Sequence, residues 1–495
     1  MNNKNEQTFY WTQDADSTLQ SCMNEIALLF GLSEATTLST TGWRFSCEIQ
    51  RDVRGGSLVS FSVADVKHAP LICETEVCAD ETPNEYKRAA RMAAFRALHA
   101  LLPETALPPW GILRGIRPGK LASRMLHAGL VAENVQKQLS SRYGISSDRA
   151  ALLTDIARRQ QPLLSALTKS PRTIAVYISV PFCPSRCLYC SFPSAVKPGR
   201  EQIRSFLQAI GHDLAAVVKL LTRFNLHVKT IYIGGGTPTV LDDDEFAGLL
   251  ALTEPLLSPS TLEFTVEAGR PDTFSPHKLA AMAAHGVTRI SLNPQTMQAQ
   301  TLKLIGRSHS VQAIYEQMQA VHQSGINCVN MDLIAGLPGE DQAMFADTLQ
   351  QVLDMQPENL TVHTLALKRK SPLFALGEAA LAPHDTVEEM VRMAFTAPTK
   401  AGLHPYYLYR QRYIAGNLEN VGYAKVGLES LYNVQMMEEW QTVVGVGPSA
   451  VTKLVYTPGR QVEHYFMPKD SNYYAASIER LINAREQLLN ALYGV

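Results

Sequence analysis

Between residues 173 and 367, short apolar runs typical of strands alternate with longer stretches that have helical apolar spacing. Strands that alternate with helices predict an α/β fold with parallel strands, and six such units predict a partial (β/α)6 barrel. Because the chemistry of such barrels sits at the C-terminal ends of the strands, residues at those ends are the first candidates for function. The strand-like runs are residues 173–180, 230–236, 262–269, 288–294, 328–336 and 360–367.

Three cysteines follow the first strand-like run: Cys183, Cys187 and Cys190, in the spacing C-x3-C-x2-C. Ferredoxin-type clusters use four cysteines, so three thiolates from one loop would hold three irons and leave the fourth iron open to a small molecule. A zinc site and three unrelated core cysteines are the alternatives. A structural zinc site takes four Cys or His ligands, and residues 177–193 contain no His and no fourth Cys. The spacing therefore favours a four-iron, four-sulfur cluster.

Glycines follow the second strand-like run, in the sequence Gly234-Gly235-Gly236-Thr237-Pro238. Glycine lets a ligand approach the backbone closely and exposes backbone N–H and C=O groups. A tight strand-to-helix turn is the alternative explanation. One strand after a three-cysteine loop, the glycines favour a site for the small molecule that binds the open iron.

Composition limits the class of protein. The chain has 495 residues, 46% of them hydrophobic and 18% charged, with a formal net charge of −1. This balance is typical of globular proteins and argues against a globally basic nucleic-acid-binding protein. We expect a cytoplasmic protein, because the sequence shows no signal peptide and no apolar segment near the roughly 20 residues that cross a bilayer. The remaining cysteines are expected to be free thiols: Cys22, Cys47, Cys73, Cys78 and Cys328.

The first hundred residues predict an α+β domain with the order helix, three strands, helix. Apolar spacing predicts the helices over residues 16–31 and 84–102. Double-stranded RNA-binding domains share this order, and the second helix carries Lys87, Arg88, Arg91 and Arg96. Because basic residues along a helix are usually its solvated face, we favour an accessory or substrate-covering role and keep RNA binding as the alternative.

Changes in pattern divide the chain into four predicted regions. Prolines at positions 103, 108 and 109 mark the first break, and an aromatic-rich, less periodic sequence begins near residue 401. The last region is expected to cover the substrate and to end in a helix over residues 473–492. The regions are residues 1–103 (accessory domain), 104–170 (helical linker), 171–400 (barrel) and 401–495 (C-terminal extension).

The residues around the cysteines resemble those of a known family. Tyr189 stands just before the third cysteine, and the cysteine run is followed by GGGTPT, by the strand that ends at Glu267 and by DLIAGLP. Together they resemble the radical S-adenosylmethionine (SAM) superfamily and, within it, the oxygen-independent coproporphyrinogen III oxidase family. Three later segments, PYYLYRQ, GNLENVGYA and VGVGPSAVTK, resemble the HemZ-like branch of that family.

The resemblance implies a [4Fe-4S] cluster on Cys183, Cys187 and Cys190, with SAM as the ligand of the open iron. For any single further residue, a surface ion pair or a helix cap would be an ordinary explanation. The joint presence of the residues named next, at the predicted strand ends, favours a SAM-binding site. The resemblance implies a catalytic role for Tyr177, Glu267 and Arg307. It implies that SAM is bound by Tyr177, Tyr189, Gly235, Gly236, Thr237, Glu267, Gln295, Arg307, Asp332 and Ala366.

The reaction that the resemblance implies begins when one electron, from a reduced flavodoxin- or ferredoxin-type donor, enters the cluster. SAM is then cleaved to methionine and a 5′-deoxyadenosyl radical, which takes a hydrogen atom from the substrate. The implied substrate is coproporphyrinogen III, a tetrapyrrole of haem biosynthesis, two of whose propionates become vinyl groups with loss of carbon dioxide. Such a substrate needs cationic anchors and an apolar wall. Candidates are Lys368, Arg369, Lys370, Arg410 and Arg412, with Tyr406, Tyr407 and Tyr409.

One position departs from the oxidase pattern. The oxidase subgroup has an extra cysteine two residues after the third cluster ligand, whereas this chain has Phe192, as the haem-chaperone subgroup does. Two alternatives to the oxidase reaction therefore stay open. One is a haem-binding, chaperone-like protein, and the other is a radical SAM methyl or methylene transferase that acts on another substrate.

Overall fold

The computed structural model describes residues 8–12, 16–35, 42–51, 56–65, 67–105, 107–115, 117–169, 172–377, 381–411, 417–459 and 461–494. The chain divides into two compact units, each with its own sheet. The first unit is Met1–Gly115 with Arg124–Thr154, and the second is Ile116–Ser123 with Asp155–Val495. The four-region division drawn from the sequence stays a prediction.

The first unit contains a mixed sheet of β1 (Thr8–Trp11), β2 (Ser33–Glu34), β3 (Gly42–Arg51), β4 (Ser57–Ala64) and β5 (Pro70–Val77). The strands lie in the order β2-β1-β3-β4-β5, with β1 parallel to both its neighbours and the other pairs antiparallel. The three predicted strands are present as β3 to β5. The sequence analysis missed β1 and β2, because strands of four and two residues offer too few alternating positions to be recognised.

Two helices, α1 (Ser17–Leu29) and α2 (Pro83–Leu101), pack against this sheet. Both begin at side-chain caps. Asp16 accepts hydrogen bonds from backbone N–H groups of the first turn of α1, and Thr82 does the same for α2, with Pro83 as the first helical residue. Their apolar faces bury small and aromatic side chains between helix and sheet, among them Ile26, Phe45, Phe61, Ala90 and Ala94.

Three of the four basic residues on α2 are held in ion pairs within the first unit. Arg88 is buried and contacts Glu76 and Glu85, each at 2.8 Å. Arg96 contacts Glu76 at 2.7 Å, and Arg91 contacts a glutamate of α1 at 3.2 Å. Because cations neutralised within the protein release few counterions from a nucleic-acid backbone, this geometry adds no support to the RNA-binding alternative.

The predicted helical region contains α3 (Gly119–His127), α4 (Ala132–Tyr143) and α5 (Ser147–Thr168). Gly144 adopts the left-handed backbone conformation (φ +66°) that ends α4, a position where glycine avoids a Cβ clash. No helix in the described part of the chain combines the length and the apolar character needed to span a bilayer.

The centre of the second unit is a row of six parallel strands, each paired with the next. They coincide with the six strand-like runs of the sequence, so their C-terminal ends meet at one edge. A short parallel pair follows the first of them and contains the first cysteine. In chain order the strands are β6 (Thr173–Val180), the short pair β7 (Phe182–Cys183) and β8 (Ala195–Val196), β9 (His227–Gly235), β10 (Glu263–Val266), β11 (Arg289–Ser291), β12 (Cys328–Ala335) and β13 (Asn359–Thr364).

Helices separate these strands along the chain, as the alternating pattern predicts. Several begin at a side chain that accepts a hydrogen bond from the backbone of the first turn, namely Asp242, Ser275, Ser310 and Asp341. The helices are α6 (Arg200–Phe224), α7 (Asp243–Ala251), α8 (Pro276–Ala284), α9 (Ala299–Leu304), α10 (Val311–Gln323), α11 (Gln342–Asp354) and α12 (His384–Lys400).

The C-terminal region adds β14 (His404–Tyr409), β15 (Asn420–Ala424), α13 (Leu431–Glu438), β16 (Val443–Val446), β17 (Val451–Thr457), β18 (Gln461–Phe466), α14 (Ser471–Ala476) and α15 (Ile478–Tyr493). Its strands extend both edges of the parallel row, in the order β14-β15-β13-β12-β11-β10-β9-β6-β16-β17-β18. The single helix predicted over residues 473–492 is wrong in one respect. Ser477 (φ −107°, ψ 7°) departs from helical geometry and separates α14 from α15.

A buried ion pair joins α6 to α15. The side chains of Asp213 and Arg485 are both fully buried. Arg485 donates to the Asp213 carboxylate and to the carbonyl of Gly445 on β16, and the Tyr474 hydroxyl also donates to Asp213. Neither charge reaches water, so removing one partner leaves the other uncompensated in the core.

We expect Asp213→Ala to lower the free energy of unfolding of the second unit by about 3–5 kcal/mol, because Arg485 would stay buried without its counter-charge. Urea denaturation monitored by tryptophan fluorescence and circular dichroism measures the change. The double variant D213A/R485M should recover part of the loss. A double variant no more stable than D213A would show that the unpaired charge is not the cause.

Candidate active site

A cavity of about 520 Å³ lies in the second unit. Strand ends and the loops that follow them form most of its wall, and the C-terminal region supplies the rest. Every residue that the sequence analysis assigned to the cluster or to SAM borders this cavity: Tyr177, Cys183, Cys187, Tyr189, Cys190, Gly235, Gly236, Thr237, Glu267, Gln295, Arg307, Asp332 and Ala366.

The three cysteines stand on one loop that is fixed by backbone hydrogen bonds. The N–H of Leu188 donates to the carbonyl of Ile305 (3.0 Å), and the N–H of Cys190 donates to that of Cys187 (3.1 Å). All three are free thiols, and burial raises the pKa of Cys183 and Cys190. A metal that binds such thiols must displace their protons, as metal-coordinated thiols do generally.

The glycine run passes close to this loop and leaves no room for side chains. Gly235 has φ +108°, a conformation that L-residues rarely adopt. A Cβ at Gly236 would lie 2.4 Å from the carbonyl oxygen of Phe182, and one at Gly234 would lie 2.6 Å from Glu267 Oε2. Next to the run, the Thr237 hydroxyl contacts the sulfur of Cys183 at 3.7 Å. The absence of side chains therefore lets this run pack directly against the Phe182 backbone and the Glu267 carboxylate.

Two carboxylates border the cavity, and their pKa values shift in opposite directions. Burial and, to a smaller extent, the charge of Asp332 together raise the pKa of Glu267 to about 8, against a hydrogen bond from the Gly235 backbone. Burial also opposes ionisation of Asp332, but hydrogen bonds from His363 and Asn330 outweigh it and lower its pKa. Near neutral pH, the cavity therefore presents a neutral acid at Glu267 and a negative charge at Asp332.

Several buried polar atoms of the cavity wall have no hydrogen-bond partner among the described residues. They include Gln295 Oε1, Asn293 Oδ1 and Arg307 Nε. Gln295 also adopts a left-handed conformation (φ 70°), held by backbone hydrogen bonds to Asp332 (2.9 Å) and Ile334 (3.0 Å). Buried polar groups are normally paired, so these orphaned atoms indicate a polar ligand in the cavity.

Aromatic side chains complete the wall. Tyr177 stacks on Tyr232 and Tyr432, with ring centroids 6.0 Å and 6.2 Å apart. Tyr189 accepts a hydrogen bond from Arg307 Nη2 at 3.3 Å. Burial raises the pKa of Tyr177 and Tyr189, so both phenols are neutral. Beside these rings, the small side chain of Ala366 leaves the cavity open.

Comparison with known proteins identifies this arrangement. The radical SAM superfamily model matches residues 177–352. The chain is 36% identical over 422 residues to the oxygen-independent coproporphyrinogen-III oxidase-like protein HemZ of Bacillus subtilis, and the alignment covers 84% of each chain. The chain belongs to the radical SAM superfamily. Within it, the chain belongs to the oxygen-independent coproporphyrinogen III oxidase-like family.

Two further relatives show the range of that family. The haem chaperone HemW of Bacillus subtilis is 29% identical over 52% of this chain and 66% of its own length. The solved structure of coproporphyrinogen III oxidase HemN from Escherichia coli, a radical SAM enzyme, matches with a TM-score of 0.52 at 20% identity, over 67% of this chain and 78% of that one. At this identity the HemN match shows the fold alone. The predicted fold class and family resemblance are confirmed, whereas the individual residue roles stay predictions.

The cavity fits the two groups that the radical SAM superfamily implies, an iron–sulfur cluster and SAM. Three thiols on one loop are the donor set for a cluster with an open iron. The unpaired amide oxygens of Gln295 and Asn293 are acceptors for a ligand that carries N–H groups, such as the ammonium of SAM. Gly235 and Gly236 border the same cavity, where glycines leave backbone N–H and C=O groups uncovered by side chains.

The cationic candidates for substrate anchoring divide into four groups. Lys368 borders the cavity, while Arg369 and Lys370 are exposed after β13. Arg410 is buried and donates to both the backbone carbonyl (2.9 Å) and the side chain of an asparagine seven residues later. Arg412 lies outside the described residues. Of the four candidates that the structure describes, Lys368 has the position that an anchor inside the cavity requires.

The sequence analysis missed His363 and Asn330, which border the cavity beside Asp332. A signal was present. Asn330 and Asp332 occupy alternate positions of β12, and Thr361 and His363 do so on β13. In a strand, alternate side chains share one face, so polar residues two apart in an otherwise apolar strand indicate a polar interior.

The raised pKa of Glu267 makes the stability of the ligand-free protein depend on pH. The folded protein holds this proton up to pH near 8, whereas an unfolded glutamic acid loses it near pH 4.3. Stability from this group is therefore fully present below the unfolded pKa and is lost as pH rises toward 8, with a slope of at most about 1.4 kcal/mol per pH unit. Urea unfolding between pH 5 and 8 should show this decline in the wild type and not in Glu267→Gln. Parallel curves for the two proteins would contradict the assignment.

Proposed function

We propose that this chain binds a [4Fe-4S] cluster through Cys183, Cys187 and Cys190 and binds SAM in the adjoining cavity. Support comes from one observation above all: the three thiols, the glycine run and the unpaired amide oxygens border the same cavity. When bound, the cluster and SAM together supply a one-electron cleavage that produces a strong hydrogen-atom abstractor. A reduced flavodoxin- or ferredoxin-type protein is the proposed electron donor.

The chain's own residues would bind and orient these groups. Glu267 directly follows β10 and Asp332 lies on β12; with their opposite pKa shifts they offer a hydrogen-bond donor and a charged acceptor in the same cavity. Gln295 offers a free acceptor. Arg307 holds the Tyr189 hydroxyl and so fixes a ring beside the cysteines. Thr237, Tyr177 and Ala366 would shape the cavity and exclude water, which strengthens each polar contact inside it.

The proposed substrate is coproporphyrinogen III. Each of two propionates would give a hydrogen atom to the SAM-derived radical and one electron to an acceptor, lose carbon dioxide and become a vinyl group. The name of the relative HemZ supports a substrate of this class. Within the chain, the partly buried ammonium group of Lys368 borders the cavity and is suited to a carboxylate. Tyr407 and Tyr409 supply a flat wall at the same cavity. We propose that residues 401–495 cover the substrate and that residues 1–103 are an accessory domain.

Anaerobic incubation of the reconstituted protein with a reductant, SAM and coproporphyrinogen III tests this function. We expect 5′-deoxyadenosine, methionine and protoporphyrinogen IX, measured by liquid chromatography and mass spectrometry. Formation of 5′-deoxyadenosine without any vinyl product would refute the substrate assignment, while the proposed cleavage of SAM would still hold. S-adenosylhomocysteine with a mass gain on the tetrapyrrole would instead identify a methyl or methylene transferase.

The cluster assignment has a matched control within the chain. Cys187→Ala should abolish iron and sulfide binding and SAM cleavage, because one of three cluster ligands is lost. Cys73→Ala makes the same change at an exposed thiol of the first unit and should keep both. Iron and sulfide analysis with electron paramagnetic resonance measures the outcome. Equal iron content in the two variants would show that Cys187 is not a ligand.

A haem-binding, chaperone-like function is the second candidate. Phe192 favours it, because the oxidase subgroup has a cysteine at that position, and the Phe192 ring is 65% exposed in this chain. The HemW relatives are named haem chaperones. Titration with haem at micromolar concentration should shift the Soret band if this function is correct. An unshifted Soret band would rule it out, and so would a shift that bovine serum albumin reproduces at equal affinity.

A further inference from the structure

Along one wall of the cavity, hydrogen bonds connect Gln411, Tyr409, His363 and Asp332. Gln411 Nε2 lies 3.4 Å from the Tyr409 hydroxyl, and that hydroxyl lies 2.9 Å from His363 Nδ1. His363 Nε2 lies 3.5 Å from Asp332 Oδ2. All four side chains border the cavity, and the last three stand on β14, β13 and β12.

The chemistry of its members gives this chain of hydrogen bonds a direction. Ionised Asp332 can only accept, so His363 Nε2 must carry the proton that faces it. In a neutral imidazole with that proton, the other nitrogen, Nδ1, accepts a hydrogen bond from the Tyr409 hydroxyl. The Gln411 amide in turn donates to the Tyr409 oxygen. Every donor therefore points toward Asp332.

The other oxygen of Asp332 is held separately. Asn330 Nδ2 donates to Asp332 Oδ1 at 2.8 Å, and Asn330 Oδ1 accepts from the Thr361 hydroxyl at 3.1 Å. Each carboxylate oxygen thus has one fixed partner on the strands. A carboxylate has about four acceptor positions, so further acceptor positions remain for a ligand in the cavity. Two O–H donors on adjacent carbons, as in a ribose, match a carboxylate held in this way.

We propose that His363 and Tyr409 are positioning residues, which fix the Asp332 carboxylate as the acceptor for the ribose diol of a nucleoside in this cavity. The nucleoside meant is the adenosyl group of SAM, so the proposal rests on the function proposed above. A purely structural role differs in its consequence. If His363 and Tyr409 only pack and hydrogen-bond within a buried wall, their loss lowers the affinity of every ligand of the cavity equally, whether or not the ligand has a diol.

The test compares two probes that differ only in the diol. These are 5′-deoxyadenosine and 2′,3′,5′-trideoxyadenosine, and their dissociation constants for the anaerobically reconstituted protein are measured by equilibrium dialysis. The wild type should favour the diol by roughly 10- to 100-fold, the value of hydrogen bonds to a charged group. His363→Leu, of similar volume, should reduce this ratio to about 3-fold or less, because Asp332 loses its fixed orientation.

His363→Gln is the matched control. A glutamine amide can donate to Asp332 and accept from Tyr409, so the ratio should stay within about 3-fold of the wild-type value, and Tyr409→Phe should give an intermediate ratio. Loss of packing alone would not produce rescue by glutamine. A full diol preference in His363→Leu, or no preference in the wild type, overturns the proposal.

Failure of this proposal is distinguishable from failure of the proposed function. Iron content and cleavage of SAM are measured on the same wild-type preparation. Protein that holds a cluster and cleaves SAM, while His363→Leu keeps the wild-type ratio, contradicts the positioning role alone. Protein that holds no cluster contradicts the proposed function. The ratio of the two dissociation constants still shows whether His363 contributes to the preference for a diol.

Discussion

Parallel pairing of the six central strands is the constraint on which the rest of the structure depends. Each strand must return to the same edge through a helix, so residues far apart in sequence end side by side. Backbone hydrogen bonds set the register at that edge. The N–H of Glu267 donates to the carbonyl of Ile233 at 2.8 Å, and the N–H of Gln295 donates to that of Asp332 at 2.9 Å. A shift of one residue would turn each of these side chains to the opposite face.

A polar interior follows from this arrangement, and some of its groups are paired with one another. Burial disfavours the charge on Asp332, yet Asn330 and His363 donate to it and keep its pKa low. The charge held there then helps to keep Glu267 protonated. The two carboxylates therefore depend on each other, and a change at His363 is expected to reach Glu267 through Asp332. Groups with pKa values driven apart in this way are common where a protein binds or transforms a ligand.

Much of this could be predicted from the sequence, for a physical reason. The alternation of strands and helices in the barrel is regular over many residues, and Cys183, Cys187 and Cys190 are close in sequence. Local sequence patterns are therefore enough to predict both the barrel and the cysteine group. The ion pair of Asp213 and Arg485 joins residues 272 positions apart, and no local pattern predicts such a contact. The break at residue 477 and the strands β1 and β2 were missed because each depends on packing more than on periodicity. The roles predicted for Tyr177, Glu267 and Arg307 came from family resemblance, and the structure shows in addition that all three border one cavity.

The division of the cavity wall between barrel and C-terminal region bears on what the site can accept. The barrel strands supply polar groups at fixed register, whereas β14 and α13 supply Tyr409, Tyr432 and Met436. Gly422 on β15 has no side chain, which lets the Tyr407 ring of β14 lie across that strand; a Cβ at Gly422 would lie 1.7 Å from the ring. The Tyr407 hydroxyl lies 3.2 Å from the Thr361 hydroxyl of the barrel strand β13. The C-terminal strands pair directly with β13 on one edge and with β6 on the other. Replacing side chains on this wall therefore changes the shape offered to a substrate while the register of Glu267 and Asp332 is retained, which is how one barrel can serve relatives with different names and ligands.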